Sequence, residues 1–359
     1  MHEGELVVDL WSGYKDVART QPWREDTMVV VASTTKTVAS LCGLMLLDRG
    51  LIDLDAPIAE YWPEFAANGK AEILVRHIFC HATGVPSFEP PMSLPDLNDW
   101  DLCVTKLAAQ APWWPPGTAT GYHANSYGHL IGELVRRTTG KSIGRFVREE
   151  FADEIGADFW IGLPESELHR VANADLSSKR KLEPDSMAYR AEAWFINDMQ
   201  ELFGNELRVS DNPHARAFVT AEIPGASGVC TARGLAQIGS ILANGGTYDG
   251  RRYLDEAIVD LATQEQMYEH DLILGAPTRY GLGYGLASKE VPLPFPRALH
   301  WGGFGGSVLV IDPDSKTCWG YVPNLWQPEV LGDSRNSRIG VAAVMSIQAL
   351  EGDPPPSIE

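Results

Sequence analysis

Short apolar stretches at Glu5-Leu6-Val7-Val8-Asp9-Leu10-Trp11 and Thr27-Met28-Val29-Val30-Val31 carry β-branched and aromatic residues between turn-forming ones, and predict two strands. The second leads straight into the apolar run Val38 to Leu47, which predicts a helix that starts near Ser33 and stops at Asp48-Arg49-Gly50, where glycine can supply a left-handed cap. Strands are then scarce as far as about residue 225. Val75 to Cys80 predicts a short helix, and Asn125 to Thr138 a longer one with Tyr127, Leu130, Ile131, Leu134 and Val135 on one face. Ser142 to Phe151 repeats that spacing. From Ser166 to Asp211 charge runs alternate with isolated aromatics without a readable period, which suggests a lid or a solvated insertion. Helices are expected at Gly234 to Asn244, Asp255 to Gln264 and Arg338 to Leu350. Gly306 to Ile311 and Thr317 to Val322 flank the turn Asp312-Pro313-Asp314-Ser315 and predict an antiparallel hairpin. The tail Asp353-Pro354-Pro355-Pro356 is expected to fray.

Strands at both ends around a helical middle imply an α+β fold, with one antiparallel β-sheet built from both termini, flanked by helices and carrying an inserted, mainly helical domain. The expected division is 1–50 with 226–350 for the sheet domain, 51–225 for the insertion and 351–359 for a flexible tail. The active cleft belongs between the two domains.

Composition narrows the function. The 359 residues are 44% hydrophobic, enough for a large core, and carry a formal charge of −19. Such a charge repels phosphate backbones and anionic lipid, so neither nucleic acid nor membrane is an expected partner. No apolar run approaches the roughly 20 residues of a spanning helix. The acidic start Met1-His2-Glu3-Gly4-Glu5 lacks the parts of a signal peptide, and a cytoplasmic location is expected. Cys42, Cys80, Cys103, Cys230 and Cys318 are scattered and odd in number, as packing residues would be. His77 and His81 are four apart, but no Glu follows His77 as in a His-Glu-x-x-His zinc motif. No metal and no cofactor is expected.

The candidate chemistry starts at Ser33-Thr34-Thr35-Lys36. Residues three apart on a helix of about 3.6 residues per turn lie on nearly the same face, so the Ser33 hydroxyl and the Lys36 amine can meet. At a helix start, free N–H groups stabilise a developing oxyanion and oppose protonation of the lysine, so Lys36 can act as a base. Alone, the motif is also how a helix cap looks. Downstream, Tyr122-His123-Ala124-Asn125 follows the rigid turn Pro116-Gly117, and the glycine-rich His300-Trp301-Gly302-Gly303-Phe304 precedes the hairpin. Tyr122 also suits a core position, and Trp113 and Trp114 suit either an acyl pocket or an anchor for the turn. Lys179-Arg180-Lys181 reads as a solvated face.

With these segments in order the chain resembles the serine β-lactamase and penicillin-binding-protein superfamily, particularly class C β-lactamases and the family VIII carboxylesterases, over nearly all of residues 5 to 350. Arg76-His77-Ile78-Phe79-Cys80-His81-Ala82-Thr83-Gly84 and Pro116-Gly117-Thr118 support it. The resemblance implies that Ser33 attacks an acyl carbonyl, that Lys36 and Tyr122 share the general-base work, and that the backbone N–H groups of Ser33 and Phe304 hold the oxyanion. Which of Lys36 and Tyr122 is the base stays open, because their protonation states are coupled. It further implies substrate contacts from Trp301, Gly302, Gly303, Asn125 and His300, although His300 alternates away from Trp301 along a strand and suits a packing role. The chain starts inside its first strand, so the leading helix common in the family is expected to be missing.

Two departures carry information. Asn125 stands three residues after Tyr122, where lactamases usually have Tyr-x-Asn, a spacing like that of the lovastatin-type acyltransferases. Trp301-Gly302-Gly303 occupies the place of Lys-Thr-Gly, removing the cation and the hydroxyl that would meet a β-lactam carboxylate. The implied function is a carboxylesterase-type serine hydrolase acting on small or medium esters. The alternatives are an acyltransferase with the same acyl-enzyme, a weak β-lactamase or peptidase, and a non-catalytic binding or scaffold member of the fold. Acyl and alcohol specificity are not readable, and oligomeric state is open, with a homo-oligomer among the options.

Overall fold

The computed structural model describes residues 1–178, 181–328 and 334–351. Its largest sheet has six antiparallel strands. From one edge to the other they are Thr317–Tyr321, Val308–Asp312, Leu299–Gly302, Gly285–Leu286, Pro277–Tyr280 and Met267–His270. The hairpin pairs Asp312 with Thr317 and Val308 with Tyr321 around the expected turn. The helix Ala232–Ala243 covers one face of the two hairpin strands, and a Cβ on its Gly239 would stand 2.8 Å from the Leu309 side chain.

The N-terminal strands depart from expectation. Val29–Val30 is a strand, but it pairs antiparallel with Val229–Cys230, which in turn pairs with Phe159–Trp160, in a separate three-stranded sheet. Glu5 to Trp11 forms no strand: Leu6, Val7, Val8, Leu10 and Trp11 are exposed, and the N-terminus reaches the edge of the large sheet through Met1, His2 and Glu3, which bond to Cys318, Thr317 and Lys316. An apolar run becomes a strand only where a neighbouring backbone offers hydrogen bonds, and none of the described strands lies alongside this one. The large sheet is thus built from the C-terminal half, not from both termini.

Between Ile58 and Thr220 the regular structure is mainly helical, with the helix Tyr127–Thr139 at its centre. Short strands interrupt it, Phe159–Trp160 and the pair Ala174–Asp175 and Glu206–Leu207. The stretch 166–211 is not simply a solvated insertion. Met187–Phe203 is a 17-residue helix whose Ser186 hydroxyl accepts the Tyr189 N–H at 3.0 Å, and Ala191, Met199 and Phe203 are buried. Lys179 and Arg180 lie outside the described residues, as does the tail from 352, while Lys181 is exposed.

The helix Thr35–Asp48 explains where the site can be. Every residue from Thr35 to Met45 is buried, so the helix is enclosed on all faces, as only a central element can be. A Cβ on Gly43 would come within 2.7 Å of the Phe79 ring, and Ile131 of the Tyr127–Thr139 helix is the next neighbour. Its end follows the expected cap: Gly50 has φ +64°, its N–H reaches Leu47 O, and the Leu51 N–H reaches Leu46 O at 2.9 Å. A helix fixed this firmly at one end presents a fixed first turn at the other.

Candidate active site

Ser33 sits one turn before that helix, in a 3-10 turn over Ala32–Thr34, with Lys36 in the first α-helical turn. Ala32 has φ +44°, a left-handed backbone uncommon for a side-chain-bearing residue, so the surroundings must hold this turn in place. They do so with several bonds. The Ser307 hydroxyl donates to Val31 O at 2.8 Å and lies 2.9 Å from the Thr34 hydroxyl. Thr35 donates to Ala32 O at 2.6 Å and accepts the Gly228 N–H at 2.9 Å. Ser307 was not singled out in the sequence; a lone serine after a glycine run carries no signature of its own.

Lys36 Nζ is enclosed by three oxygens: Ser33 Oγ at 3.2 Å, Ala124 O at 2.9 Å and Gly225 O at 2.7 Å. As an ammonium it donates to all three. As a neutral amine it donates to the two carbonyls and turns its lone pair to the Ser33 hydroxyl, because carbonyl oxygens can only accept. Burial brings its pKa down from 10.5 to about 7, against an opposing pull from the Glu192 carboxylate. Gly225 reaches this position because Gly128 leaves room for it, since a Cβ on Gly128 would lie 2.3 Å from Gly225 N. A backbone carbonyl from a remote loop leaves no trace in the sequence.

Tyr122 is buried, with the Lys36 amine 5.0 Å from its ring centroid. The Trp301 indole N–H donates to its hydroxyl at 3.3 Å, and the two rings lie 5.2 Å apart. Its backbone N–H donates to Asp271 Oδ1 at 3.0 Å, and the same carboxylate accepts the Ile273 and Leu274 N–H groups and the Tyr280 hydroxyl. Asp271, 149 residues away in the chain, therefore fixes Tyr122 without touching its phenol. The preceding carbonyl, Gly121 O, accepts from His123 Nδ1 at 2.6 Å, leaving Nε2 to accept from the Thr83 hydroxyl at 2.5 Å. Burial pushes the His123 pKa down to about 3, which keeps the ring in this neutral state. His81 accepts the His123 N–H at 3.1 Å, and His77 accepts the Leu74 N–H at 3.2 Å, so both rings are engaged by backbone.

The cleft beside Ser33 is walled by Ala32, Tyr122, Ala124, Asn125, Glu192, Phe195, Ile196, Met199, Phe218, Ala226, Phe304 and Trp326. Phe304 is among these lining residues. The Gly303 carbon lies against the turn that carries Ser33: a Cβ there would be 2.2 Å from Val31 O and 3.1 Å from Ser33 N. Asn125 lines the cleft, but its amide donates to Ala191 O at 3.1 Å and anchors the Met187–Phe203 helix. Trp301 stands behind Tyr122 and is not among the residues lining the cleft. His300 is buried on the neighbouring strand face against Gly285, its pKa lowered to about 4 by burial. Trp114 donates to Ala119 O at 3.0 Å and packs on Gly121, holding the turn, and Trp113 lies under Arg190 of the Met187–Phe203 helix; neither lines the cleft beside Ser33.

A family model described as Beta-lactamase matches residues 1–344. The chain belongs to the beta-lactamase family. Esterase/beta-lactamase LipL of Mycobacterium tuberculosis is 35% identical over 345 residues, 92% of this chain and 77% of that protein. Esterase EstB of Burkholderia gladioli is 27% identical over 86% of this chain and 80% of its own. Among solved structures, a family VIII carboxylesterase superposes with a TM-score of 0.85 at 38% identity, covering 96% of this chain and 90% of the other. A penicillin-binding protein homologue from Caulobacter crescentus gives 0.87 at 35% identity, covering 96% and 91%. The resemblance to family VIII carboxylesterases and the α+β fold are borne out. Like the sequence, this beta-lactamase-family chain has five free, buried cysteines, and none of its described helices is long and apolar enough to cross a membrane.

Proposed function

We propose that this protein is a serine hydrolase that cleaves small to medium carboxylic esters through an acyl-enzyme on Ser33. The observation that carries the reading is the placement of Lys36 Nζ between two backbone carbonyls and the Ser33 hydroxyl in a fully buried position. There the neutral amine accepts the Ser33 proton as Oγ attacks the ester carbonyl. The backbone N–H groups of Ser33 and Phe304 hold the resulting oxyanion, each worth about 2.7–4 kcal/mol in comparable sites. Collapse of the tetrahedral intermediate breaks the ester C–O bond. The departing alkoxide takes up the proton held by Lys36, with the Tyr122 hydroxyl, itself held by Trp301, as the relay. Water then attacks the acyl-enzyme by the reverse of these proton transfers and releases the acid.

The substrate class follows from the walls of the cleft. Phe195, Ile196, Met199, Phe218 and Trp326 offer apolar contact, and among the described residues no lysine or arginine lines the cleft to bind a β-lactam carboxylate. The relatives named esterases support the same reading. The acyltransferase alternative shares the acyl-enzyme and differs only in the acceptor, and the spacing of Tyr122 and Asn125 is what favours it.

The test is release of nitrophenolate from p-nitrophenyl acetate and butyrate by the protein and by its Ser33→Ala variant, with added alcohols as competing acceptors. Turnover that is lost in the variant is expected, with hydrolysis dominant over transfer. No Ser33-dependent turnover of either ester would refute the esterase reading.

A further inference from the structure

The apolar lining of the cleft is built from aromatic rings that fix one another. On the Met187–Phe203 helix, Glu192, Phe195, Ile196 and Met199 fall at the spacing of a single face, and all line the cleft. Glu192, which acts on the titration of Lys36, heads this stripe, and the apolar members follow over the next two turns. Phe195 stands edge-on to Trp194 with ring centroids 5.8 Å apart and lies 6.4 Å from Phe218, which in turn lies 5.8 Å from Phe203. A second pair, Phe304 and Trp326, comes from the end of the large sheet and the segment beyond it, its rings perpendicular at 5.6 Å. Trp326 is seated on backbone. A Cβ on Gly305 would come within 2.5 Å of its indole, the Gly305 N–H donates to Gln327 O at 3.1 Å, and the Trp326 N–H donates to Asp175 O at 3.1 Å. Rings held this closely need no ordering by a substrate.

The Tyr122 ring belongs elsewhere. It packs with His81 and Trp301, in a cluster separate from the one that takes in Phe195, Phe218, Phe304 and Trp326. In the proposed reaction the leaving alcohol takes its proton through Tyr122, so the alcohol lies on the Tyr122 side of Ser33. The acyl group is left facing the rings.

We propose that the cleft selects esters whose acyl group carries an aromatic ring, of the arylacetyl class, over esters whose acyl group is a saturated ring of the same size. The proposal rests on the esterase reading and deepens it by naming the acyl class. An aromatic ring has an electron-rich face and an electropositive edge, so it gains edge-to-face or offset contacts with rings at about 4.5–7 Å that a saturated ring cannot match. A rigid ring also loses less freedom than an alkyl chain on entering a lining that does not adjust to it.

The experiment measures kcat/KM by pH-stat titration for ethyl phenylacetate and ethyl cyclohexylacetate, so that the acyl group carries the only ring. Each value is divided by the ester's rate with hydroxide, which removes the difference in intrinsic reactivity. The wild-type protein should prefer the phenylacetate by about fivefold or more. In Trp326→Leu and in Phe195→Leu, where an apolar side chain replaces a ring, that ratio should fall towards one. With the ring moved to the alcohol, benzyl acetate and cyclohexylmethyl acetate should give similar normalised values. A wild-type ratio near one, a ratio unchanged in both variants, or a preference confined to the alcohol series would overturn the proposal. The wild-type ratios decide the matter even if neither variant folds. Failure of the esterase reading looks different: no ethyl ester, butyrate included, is then hydrolysed in a Ser33-dependent way.

Discussion

The turn that carries Ser33 and the helix that walls the cleft are held by separate sets of contacts. Lys36 sits on a buried helix, and the turn before it, which carries Ser33, is tied down locally by Thr35 and from two other parts of the chain by Ser307 and Gly228. Met187–Phe203 is half-exposed and is held from its inner side at Ala191 O, through Asp198, which accepts the Leu94 N–H at 2.6 Å, and through Trp194, which donates to Ser87 at 3.2 Å. The difference separates two jobs. The proposed proton transfer from Ser33 to Lys36 needs hydrogen-bond geometry held to a few tenths of an ångström, which a dense network supplies. Choice among substrates needs a wall whose side chains can vary without disturbing that network, which a helix anchored away from the Ser33 turn allows.

Changes in the first region should therefore be severe and changes in the second mild. Lys36→Ala removes the proposed proton acceptor and should lower kcat/KM for p-nitrophenyl butyrate by about 10³-fold or more, equivalent to about 4 kcal/mol, with a folded circular dichroism spectrum retained. Gly303→Ala forces a methyl group to within 2.2 Å of Val31 O, so either the strand end or the nucleophile turn must move. It should cost about 1–3 kcal/mol in a denaturant melt. A displacement of about an ångström at the reacting atoms should also lower activity about 10²-fold. Phe195→Ala, on the cleft wall, should leave stability and p-nitrophenyl acetate turnover within about threefold of wild type. It should change the butyrate-to-acetate preference by about three- to tenfold. If Phe195→Ala proved as damaging to acetate turnover as Gly303→Ala, the separation of the two regions would fail.

The same contrast explains what could be read along the chain. Ser33 and Lys36 are three residues apart, so their meeting follows from helix geometry, and Tyr122 and Trp301-Gly302-Gly303 were marked by turns and glycines nearby. The partners that complete the site were not marked. Gly225 contributes only a carbonyl, and Asp271 acts across 149 residues, so neither leaves a local pattern. Met187–Phe203 escaped notice because Arg190, Glu192, Asp198 and Glu201 break up its apolar face. Yet Met187, Ala191, Phe195, Met199 and Phe203 recur every four residues after a capping serine, a signal that was present. The opposite error arose at Glu5 to Trp11, where side chains suited to a strand find no neighbouring strand. Side-chain pattern reports what a segment could bury, and hydrogen-bonding partners decide what it becomes.

The central claim is that Lys36 works as a neutral amine for Ser33, and the rate of acylation against pH tests it most directly. In single-turnover measurements with p-nitrophenyl acetate, corrected for uncatalysed hydrolysis, the burst of nitrophenolate reports this step. Because the base is the unprotonated form, the rate should rise tenfold per pH unit on the acid side, bend at about pH 7 and stay level above it. A rate that is flat from pH 5 to 9, or that bends only near the ordinary lysine value of 10.5, would contradict the account.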